Sequence, residues 1–227
     1  MLKNPGKKLE IIYKGNRYLR IPIRTKLITE KDDILEIIKE YVIDKIKEKD
    51  ILFISEKVVA ITQNRIIKIS DVKPSKIAVF LSKRVTKNPA GIGVSIPETM
   101  EMAIKEVGIL RILIAAFFSA ITKPFGIKGV FYKIAGRKVA GIDGPCEYTI
   151  PPYNQYISLI PLDCDKICSK IEKKFGVKAC IVDANDLGVE VLGASKGIDK
   201  KMIKEILQDN PLGQSNEQTP IGIIRKS

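Results

Sequence analysis

Residues 156–183, YISLIPLDCDKICSKIEKKFGVKACIVD, carry the clearest supersecondary pattern in the chain. Two apolar runs of strand length, Tyr156–Pro161 and Val177–Asp183, flank the segment Asp165–Phe175, whose apolar residues recur at helical spacing. Gly176 follows that segment, and a glycine in this position commonly ends a helix. The stretch therefore predicts a strand–helix–strand unit.

The rest of the chain also alternates between short strands and helices. Further strands are predicted at Leu9–Tyr13, Tyr18–Ile23, Ile51–Ser55, Ile66–Lys68 and Pro220–Arg225. Helices are predicted at Asp33–Ile46, Glu56–Thr62, Pro74–Val85, Met100–Val107 and Asp199–Leu207. The segment Ile112–Ser119 is apolar on all faces, which predicts a buried helix.

Composition indicates a globular protein. The chain has 227 residues, of which 45% are hydrophobic and 29% charged, as in ordinary folded proteins. The longest apolar run, Ile112–Ile121, is too short to span a bilayer, and the N-terminal residues have no apolar signal core. We therefore expect a cytoplasmic protein without a membrane partner. The four cysteines match no disulfide framework or zinc pattern, so we expect structural thiols.

Histidine is absent from the sequence. Its absence excludes a histidine general base, a Ser–His or Cys–His nucleophile and histidine-ligated zinc. Any chemistry must use carboxylates, lysine, tyrosine, cysteine or a hard metal ion. A metal held by oxygen ligands would be Mg²⁺ or Mn²⁺.

Polar side chains cluster at the ends of three predicted strands. The clusters are Asp143 in AGIDGP, Asp183 with Asn185 and Asp186 in IVDANDLGVEV, and Gln214, Asn216, Glu217 and Gln218 in NPLGQSNEQTP. Open sheets bind ligands at strand ends, and oxygen-rich loops suit a hard cation that carries nucleotide phosphates. The alternative is that these Asp and Asn residues simply form turns.

The formal net charge of +13 favours phosphate-bearing partners. Lys57 follows a predicted strand, where it can reach a phosphate or simply lie on a helix surface. The segment Ile121–Lys138 carries five basic residues among Phe125, Phe131 and Tyr132. Such a basic loop can bind a phosphorylated or aromatic substrate or a nucleic acid strand, or it can be surface with buried aromatics. Because no nucleic-acid motif is present, an RNA-binding role is the less favoured hypothesis.

Four of these motifs together resemble the coenzyme F420 gamma-glutamyl ligases, and most closely a divergent bacterial branch of ligase-like proteins. They are DILFISEKVVAITQNRII, AGIDGP, IVDAND and PLGQSNEQTPIGIIR, and the resemblance covers residues 20–227. It implies an α+β, two-lobed, mixed-sheet fold that forms a homodimer. We expect an N-terminal arm or strand at 1–20 and a ligase-like unit at 21–227, with intimately packed lobes at about 21–150 and 151–227.

The resemblance also implies a ligand set. Asp143 and Asp183 would bind one Mg²⁺ or Mn²⁺ ion, and Gln214 would bind a second. Lys57 would contact the phosphates of GTP or ATP. The loop that wraps the nucleotide would consist of Leu212, Gly213, Gln214, Ser215, Asn216, Glu217, Gln218 and Thr219.

The expected activity is amide-bond formation on a phosphorylated or anionic cofactor-like acid. Three positions depart from the family pattern: Ala184 replaces a metal-binding hydroxyl, Cys146 replaces an asparagine near the nucleotide, and Ile61 replaces a second lysine. These departures favour the alternative of a catalytically inactive nucleotide- or metal-binding or regulatory protein with the same fold.

Overall fold

The computed structural model describes residues 3–85, 92–185, 188–213 and 216–227. It forms two compact units, Met1–Asn64 with Pro161–Ser227 and Arg65–Ile160. The first unit thus combines both ends of the chain. It places residues 21–64 with the C-terminal segment, whereas the sequence-based division assigned them to a lobe at 21–150.

A six-stranded mixed sheet organises the first unit, in the order β1-β2-β8-β3-β6-β7. Only β3 and β6 run parallel, and every other neighbouring pair is antiparallel. The strands are β1 (Glu10–Tyr13), β2 (Asn16–Ile23), β3 (Ile51–Ser55), β6 (Lys178–Asn185), β7 (Gly188–Ala194) and β8 (Ile221–Lys226). The smaller strands β4 (Ile66–Lys68) and β5 (Tyr156–Ser158) pair with each other in the second unit.

Helices of the first unit cover this sheet. They are α1 (Ile34–Tyr41), α2 (Glu56–Thr62), α8 (Cys164–Phe175) and α9 (Lys200–Ile206). Asp33 caps α1 by accepting hydrogen bonds from the backbone N–H groups of Leu35 and Glu36. Gly176 ends α8 in the left-handed conformation, as the sequence predicted. Strand β3 lies between β8 and β6 in the middle of the sheet, and its three central residues are buried.

The second unit is mostly helical. Its helices are α3 (Lys76–Ser82), α4 (Pro97–Val107), α5 (Ile109–Thr122), α6 (Val130–Ala135) and α7 (Arg137–Ala140). Its core joins Met100 and Ala103 of α4 to Ile112 of α5 and Phe131 of α6. The α+β, mixed-sheet fold class expected from the sequence is confirmed. Within the described residues, no helix is both long and apolar enough to cross a membrane.

The strand–helix–strand order predicted for residues 156–183 is observed as β5, α8 and β6, although β5 pairs with β4 in one sheet and β6 pairs with β3 and β7 in the other. Two local predictions were wrong. The segment Ile121–Lys138 is largely helical rather than a loop. Helix α5 is not buried all round: only Ile112 and Ala115 of its residues are buried.

Candidate functional site

The ends of two parallel strands bring Lys57 and Asp183 to the same edge of the large sheet. Strand β3 pairs with β6 in parallel from Ile51 opposite Lys178 to Ser55 opposite Val182. Asp183 is therefore one residue beyond the last paired position, and Lys57 is two residues beyond the end of β3. Both side chains are half-buried. Side chains that follow the carboxyl ends of neighbouring parallel strands commonly converge. The assignment of Lys57 to phosphate binding and of Asp183 to metal binding stays a prediction.

The segment before β8 reaches the same edge. Because β8 runs antiparallel to β3, with Ile54 opposite Ile221, its first residue lies beside the last residues of β3. The N–H of Ser55 donates to the carbonyl of Pro220 at 2.8 Å, and the N–H of Thr25 donates to the carbonyl of Gln218 at 3.0 Å. The described parts of two predicted polar clusters, Asp183 with Asn185 and the segment that ends at Gln218, therefore lie near the same end of β3 in the first unit. Asp186 lies outside the described residues, and a shared site stays a prediction.

Buried contacts hold the base of the C-terminal loop. The hydroxyl of Thr219 donates to the carbonyl of Leu212 at 2.7 Å. The amide nitrogen of Asn4 lies 2.8 Å from that hydroxyl and 2.9 Å from the Leu212 carbonyl. Because the side chains of Leu212 and Thr219 are buried, they support the loop from inside. Their assignment to nucleotide binding stays a prediction.

Gly213 allows a close approach within this loop. Its φ is +79°, and a Cβ atom there would lie 2.5 Å from the carboxyl carbon of Glu217. The side-chain amide of Asn210 donates a hydrogen bond to the carbonyl oxygen of Gly213 at 3.0 Å. Asn216 is exposed, and Glu217 and Gln218 are half-buried. Gln214 and Ser215, the other predicted ligands of this loop, lie outside the described residues.

Asp183 has a second carboxylate directly across the sheet. In the antiparallel pairing of β6 with β7, Asp183 lies opposite Glu190, so both side chains project from the same face. Asn185 is on that face too, and its amide nitrogen lies 3.4 Å from a carboxylate oxygen of Asp183. Sequence reasoning missed Glu190 because β7 was not predicted, although GVEVLGA has the β-branched residues typical of a strand.

Asp143 belongs to the second unit. Its backbone exchanges two hydrogen bonds with Ser158, each 2.9 Å long, in an isolated antiparallel bridge. The neighbouring Gly144 is buried, and a Cβ atom there would lie 3.0 Å from the Ile92 side chain. These contacts fix the backbone at Asp143. The joint binding of one metal by Asp143 and Asp183 stays a prediction.

The oxygen atoms of Asp183 and its neighbours are suitable ligands for a hard divalent cation. Carboxylate oxygens of Asp183 and Glu190 and the amide oxygen of Asn185 are the ligand types that Mg²⁺ and Mn²⁺ prefer. In the ranges covered by the structure, no three His, Cys, Asp or Glu side chains form a group that could hold a metal. A complete site at this edge would thus need amide, backbone or substrate oxygens as well.

A family model described as F420-0:Gamma-glutamyl ligase matches residues 22–201. The match covers more than half of the chain, including β3, α2, Asp143 and Asp183. The chain belongs to the F420-0:gamma-glutamyl ligase family. The resemblance inferred from the sequence is therefore confirmed. No curated protein matches the chain.

The family match separates the candidate residues into two sets. Lys57, Asp143 and Asp183 lie inside residues 22–201, whereas the loop from Leu212 to Thr219 lies beyond the matched range. The structure nevertheless connects this loop with the part of the first unit that precedes Lys57, since the loop leads into β8, which pairs with β3. The hydrogen bonds of Pro220 and Gln218 attach the unmatched segment to the matched part of the ligase fold.

The three departures from the family pattern differ in their surroundings. Ile61 is buried on α2, so this position contributes to packing. Ala184 packs against the hydrophobic cluster that contains Phe53 and Val191, on the face of β6 opposite Asp183. Cys146 is half-buried in the second unit. The side chains at positions 61 and 184 therefore contribute to packing in this chain.

Proposed function

We propose that this chain is a nucleotide- and metal-dependent gamma-glutamyl-type ligase acting on a phosphorylated or anionic cofactor-like acid. The observation that supports this proposal most strongly is the register of β3, β6 and β8. In this register, Lys57 and Asp183 follow the last paired residues of β3 and β6, and the segment 218–220 leads into β8 beside the end of β3. A cation, a carboxylate and an oxygen-rich loop are the groups that nucleotide phosphates and their metal ion require.

The proposed reaction has two steps. A carboxylate oxygen of the acid substrate attacks the γ-phosphorus of GTP or ATP, and the β–γ phosphoanhydride bond breaks to release the nucleoside diphosphate. The amine of glutamate then attacks the acyl phosphate, which forms the amide and releases inorganic phosphate and a proton. The sequence without histidine is compatible with this scheme, because phosphoryl transfer depends mainly on positioning and charge stabilisation.

In this reaction, the candidate site residues would bind the nucleotide and the metal ion. Lys57 would bind phosphate oxygens through its ammonium group. Asp183, with Asp143 and Gln214, would hold Mg²⁺ or Mn²⁺, which offsets charge on the transferring phosphoryl group. Backbone and side-chain groups of Gly213 to Gln218 would orient the nucleotide. A homodimer in the cytoplasm is part of the same proposal, by analogy with the family.

Binding of nucleotide and metal should raise the thermal stability of the protein. GTP with Mn²⁺ should raise the melting temperature of the wild-type protein by about 5 °C or more when the ligand is at 100 times its Kd. Asp183→Ala should reduce that shift to less than about 1 °C, because the ion then loses a carboxylate ligand. Differential scanning fluorimetry with GTP, ATP, Mg²⁺ and Mn²⁺ measures the shift and identifies the preferred nucleotide.

Asp44→Ala is the matched control, because Asp44 is an exposed carboxylate outside this sheet edge, in the 3-10 helix Ile43–Lys45. It should keep the full shift. A shift that persists unchanged in Asp183→Ala would show that the metal site is assigned to the wrong residues.

The alternative is a catalytically inactive nucleotide- or metal-binding protein, and the buried Ile61 favours it because an expected phosphate contact is missing there. Mass spectrometry distinguishes the two functions. With glutamate, GTP, Mn²⁺ and a deazaflavin phosphodiester acid, a ligase adds one glutamyl residue to the acid. A thermal shift without this product supports the inactive alternative.

A further inference from the structure

Helix α5 has an outward face made mainly of large apolar side chains, and its other exposed residues are Arg111 and Ala120. Leu110 is 69% exposed and Phe117 is 61% exposed, although both are apolar. The other exposed members of this face are Ile109, Leu113, Ile114, Phe118 and Ile121. Phe125, just beyond the helix, is 78% exposed. Such an extended apolar face marks an interaction surface rather than ordinary solvent-facing surface.

The inner face of the same helix is part of a packed core. Ile112 and Ala115 are fully buried with Phe131 and Val139 in the hydrophobic cluster of the second unit. The nitrogen Nε of Arg111 donates to the carbonyl of Ile134 at 2.9 Å, which attaches α5 to α6. The outward face is therefore presented by a fixed helix.

The chain segment that carries the apolar face is basic. Residues 108–141 contain no Asp or Glu, whereas they contain Arg111, Lys123, Lys128, Lys133, Arg137 and Lys138. Lys123 and Lys128 are exposed and flank the exposed residues Phe125 and Ile127 in sequence. Exposed phenylalanines and isoleucines beside lysines are the composition of helices that lie in the interface of an anionic bilayer.

We propose that this α5 face binds the surface of a lipid bilayer that contains anionic lipids. The helix has 14 residues, which corresponds to about 21 Å, less than the roughly 30 Å of a bilayer hydrocarbon core. It would therefore lie in the plane of the interface, with Phe117 and Phe125 inserted among the acyl chains. Lys123 and Lys128 would contact the lipid headgroups.

Charge favours a lipid surface over a second copy of the chain as the occupant of this face. Two copies joined through α5 would bring together two segments with six basic residues each and no acidic residue in either. Repulsion between like charges opposes such a contact, whereas anionic headgroups neutralise the same residues. The inference concerns surface contact without a spanning helix and is independent of the proposed ligase activity.

Cosedimentation of the full chain with vesicles tests the proposal. The wild-type protein should bind vesicles of phosphatidylcholine and phosphatidylglycerol at 7:3 and should not bind phosphatidylcholine alone. The double variant Phe117→Ser/Phe125→Ser should lose at least five-fold in binding. The double variant Lys123→Gln/Lys128→Gln should lose about twenty-five-fold at low salt, since each lysine near an anionic surface contributes about five-fold.

Two controls separate these losses from general effects. Ile12→Ser removes a comparably exposed apolar side chain on β1, at 74% exposure, and should leave binding unchanged. Lys173→Gln/Lys201→Gln removes the same charge from exposed positions of the first unit and should reduce binding less than two-fold. Melting temperatures of all variants should stay close to wild type, because every substituted side chain is exposed.

Three results would overturn the proposal. The first is the absence of wild-type binding to the anionic vesicles. The second is undiminished binding of Phe117→Ser/Phe125→Ser. The third is a wild-type dimer that this double variant converts to a monomer in light scattering, which would assign the face to a second copy of the chain.

Discussion

Arg20 is the largest polar side chain in the interior of the first unit, with 1% of its surface exposed. Its guanidinium forms an ion pair with Asp209, in which Nη2 lies 3.1 Å from a carboxylate oxygen, and it donates to the carbonyl of Ile206 at 3.0 Å. Burial alone would raise the pKa of Asp209, but hydrogen bonding and charge from Arg20 outweigh it and hold that pKa below 3.8.

This pair predicts acid-sensitive stability. Because the folded-state pKa of Asp209 is depressed, its stabilising contribution is present above the ordinary value of 3.8 and is lost as the pH falls through the folded-state pKa. Asp209→Asn should lower the free energy of unfolding at pH 7 by about 2 kcal/mol, a value reduced by the partial exposure of Asp209. The difference from wild type should shrink between pH 5 and pH 2.5.

Urea denaturation at pH 7, 5, 3 and 2.5 measures both effects. Asp44→Asn, at an exposed carboxylate, serves as the control and should change the unfolding free energy little at any of these pH values. The difference in unfolding free energy between wild type and Asp209→Asn should be smaller at pH 2.5 than at pH 7. An equal difference at both pH values would show that the ionised form of Asp209 is not the source of the stabilisation.

At the scale of elements, one residue pair explains how β8 fits between β2 and β3. Gly222 lies opposite Phe53 in the register of β8 with β3, and Phe53 is fully buried. A Cβ atom at position 222 would overlap the Phe53 ring. The aromatic ring thus occupies the space that a side chain on β8 would otherwise take.

Gly222→Ala should therefore lower the free energy of unfolding by about 1–3 kcal/mol, because it overpacks a filled core. Phe53→Leu alone should cost about 1 kcal/mol by leaving a small cavity. The double variant should be destabilised by less than the sum of the two, since the smaller leucine makes room for the alanine. Thermal denaturation of the four proteins tests this, and strictly additive losses would show that the two residues do not share the space.

At the scale of the whole molecule, the N-terminal residues contact the segment that begins the C-terminal loop. Asn4 is 207 positions before Pro211 in sequence, yet its amide nitrogen lies 2.9 Å from the Pro211 carbonyl. Lys7 also donates to the carbonyl of Asp209 at 2.8 Å. The expected N-terminal arm at 1–20 therefore contributes two strands and a set of loop contacts to the large-sheet unit.

Asn4→Ala tests whether these contacts matter for nucleotide binding. It should lower the free energy of unfolding by about 1–2 kcal/mol, because buried acceptors lose their donor. If the loop binds the nucleotide as proposed, the KM for GTP should rise several-fold with little change in kcat. Asn16→Ala is the control, because the side-chain amide of Asn16 donates to the nearby carbonyl of Lys14 and lies in a different part of the first unit. Equal KM values for the two variants would contradict a supporting role for Asn4.

Much of the fold followed from local pattern. The helix Glu56–Thr62 was predicted with its observed bounds, and Gly176 was predicted as the cap of α8, because helical spacing and a left-handed glycine are local properties of the chain. Strand β7 and its Glu190 were missed, since the signal there is short and interrupted by glycines. The partners of each strand were also beyond prediction, because β5 and β6 are similar apolar runs that pair in different sheets.

The sequence by itself determined the family, the mixed fold class, the absence of histidine chemistry and several residues that could serve as oxygen ligands, although not Glu190. These properties depend on residue identity and on periodicity along a few turns of chain. Only the tertiary structure decided that Lys57 and Asp183 share a sheet edge, and that α5 turns an apolar face outward. The physical reason is that strand pairing and helix burial depend on contacts between residues far apart in sequence, and local spacing does not specify those contacts.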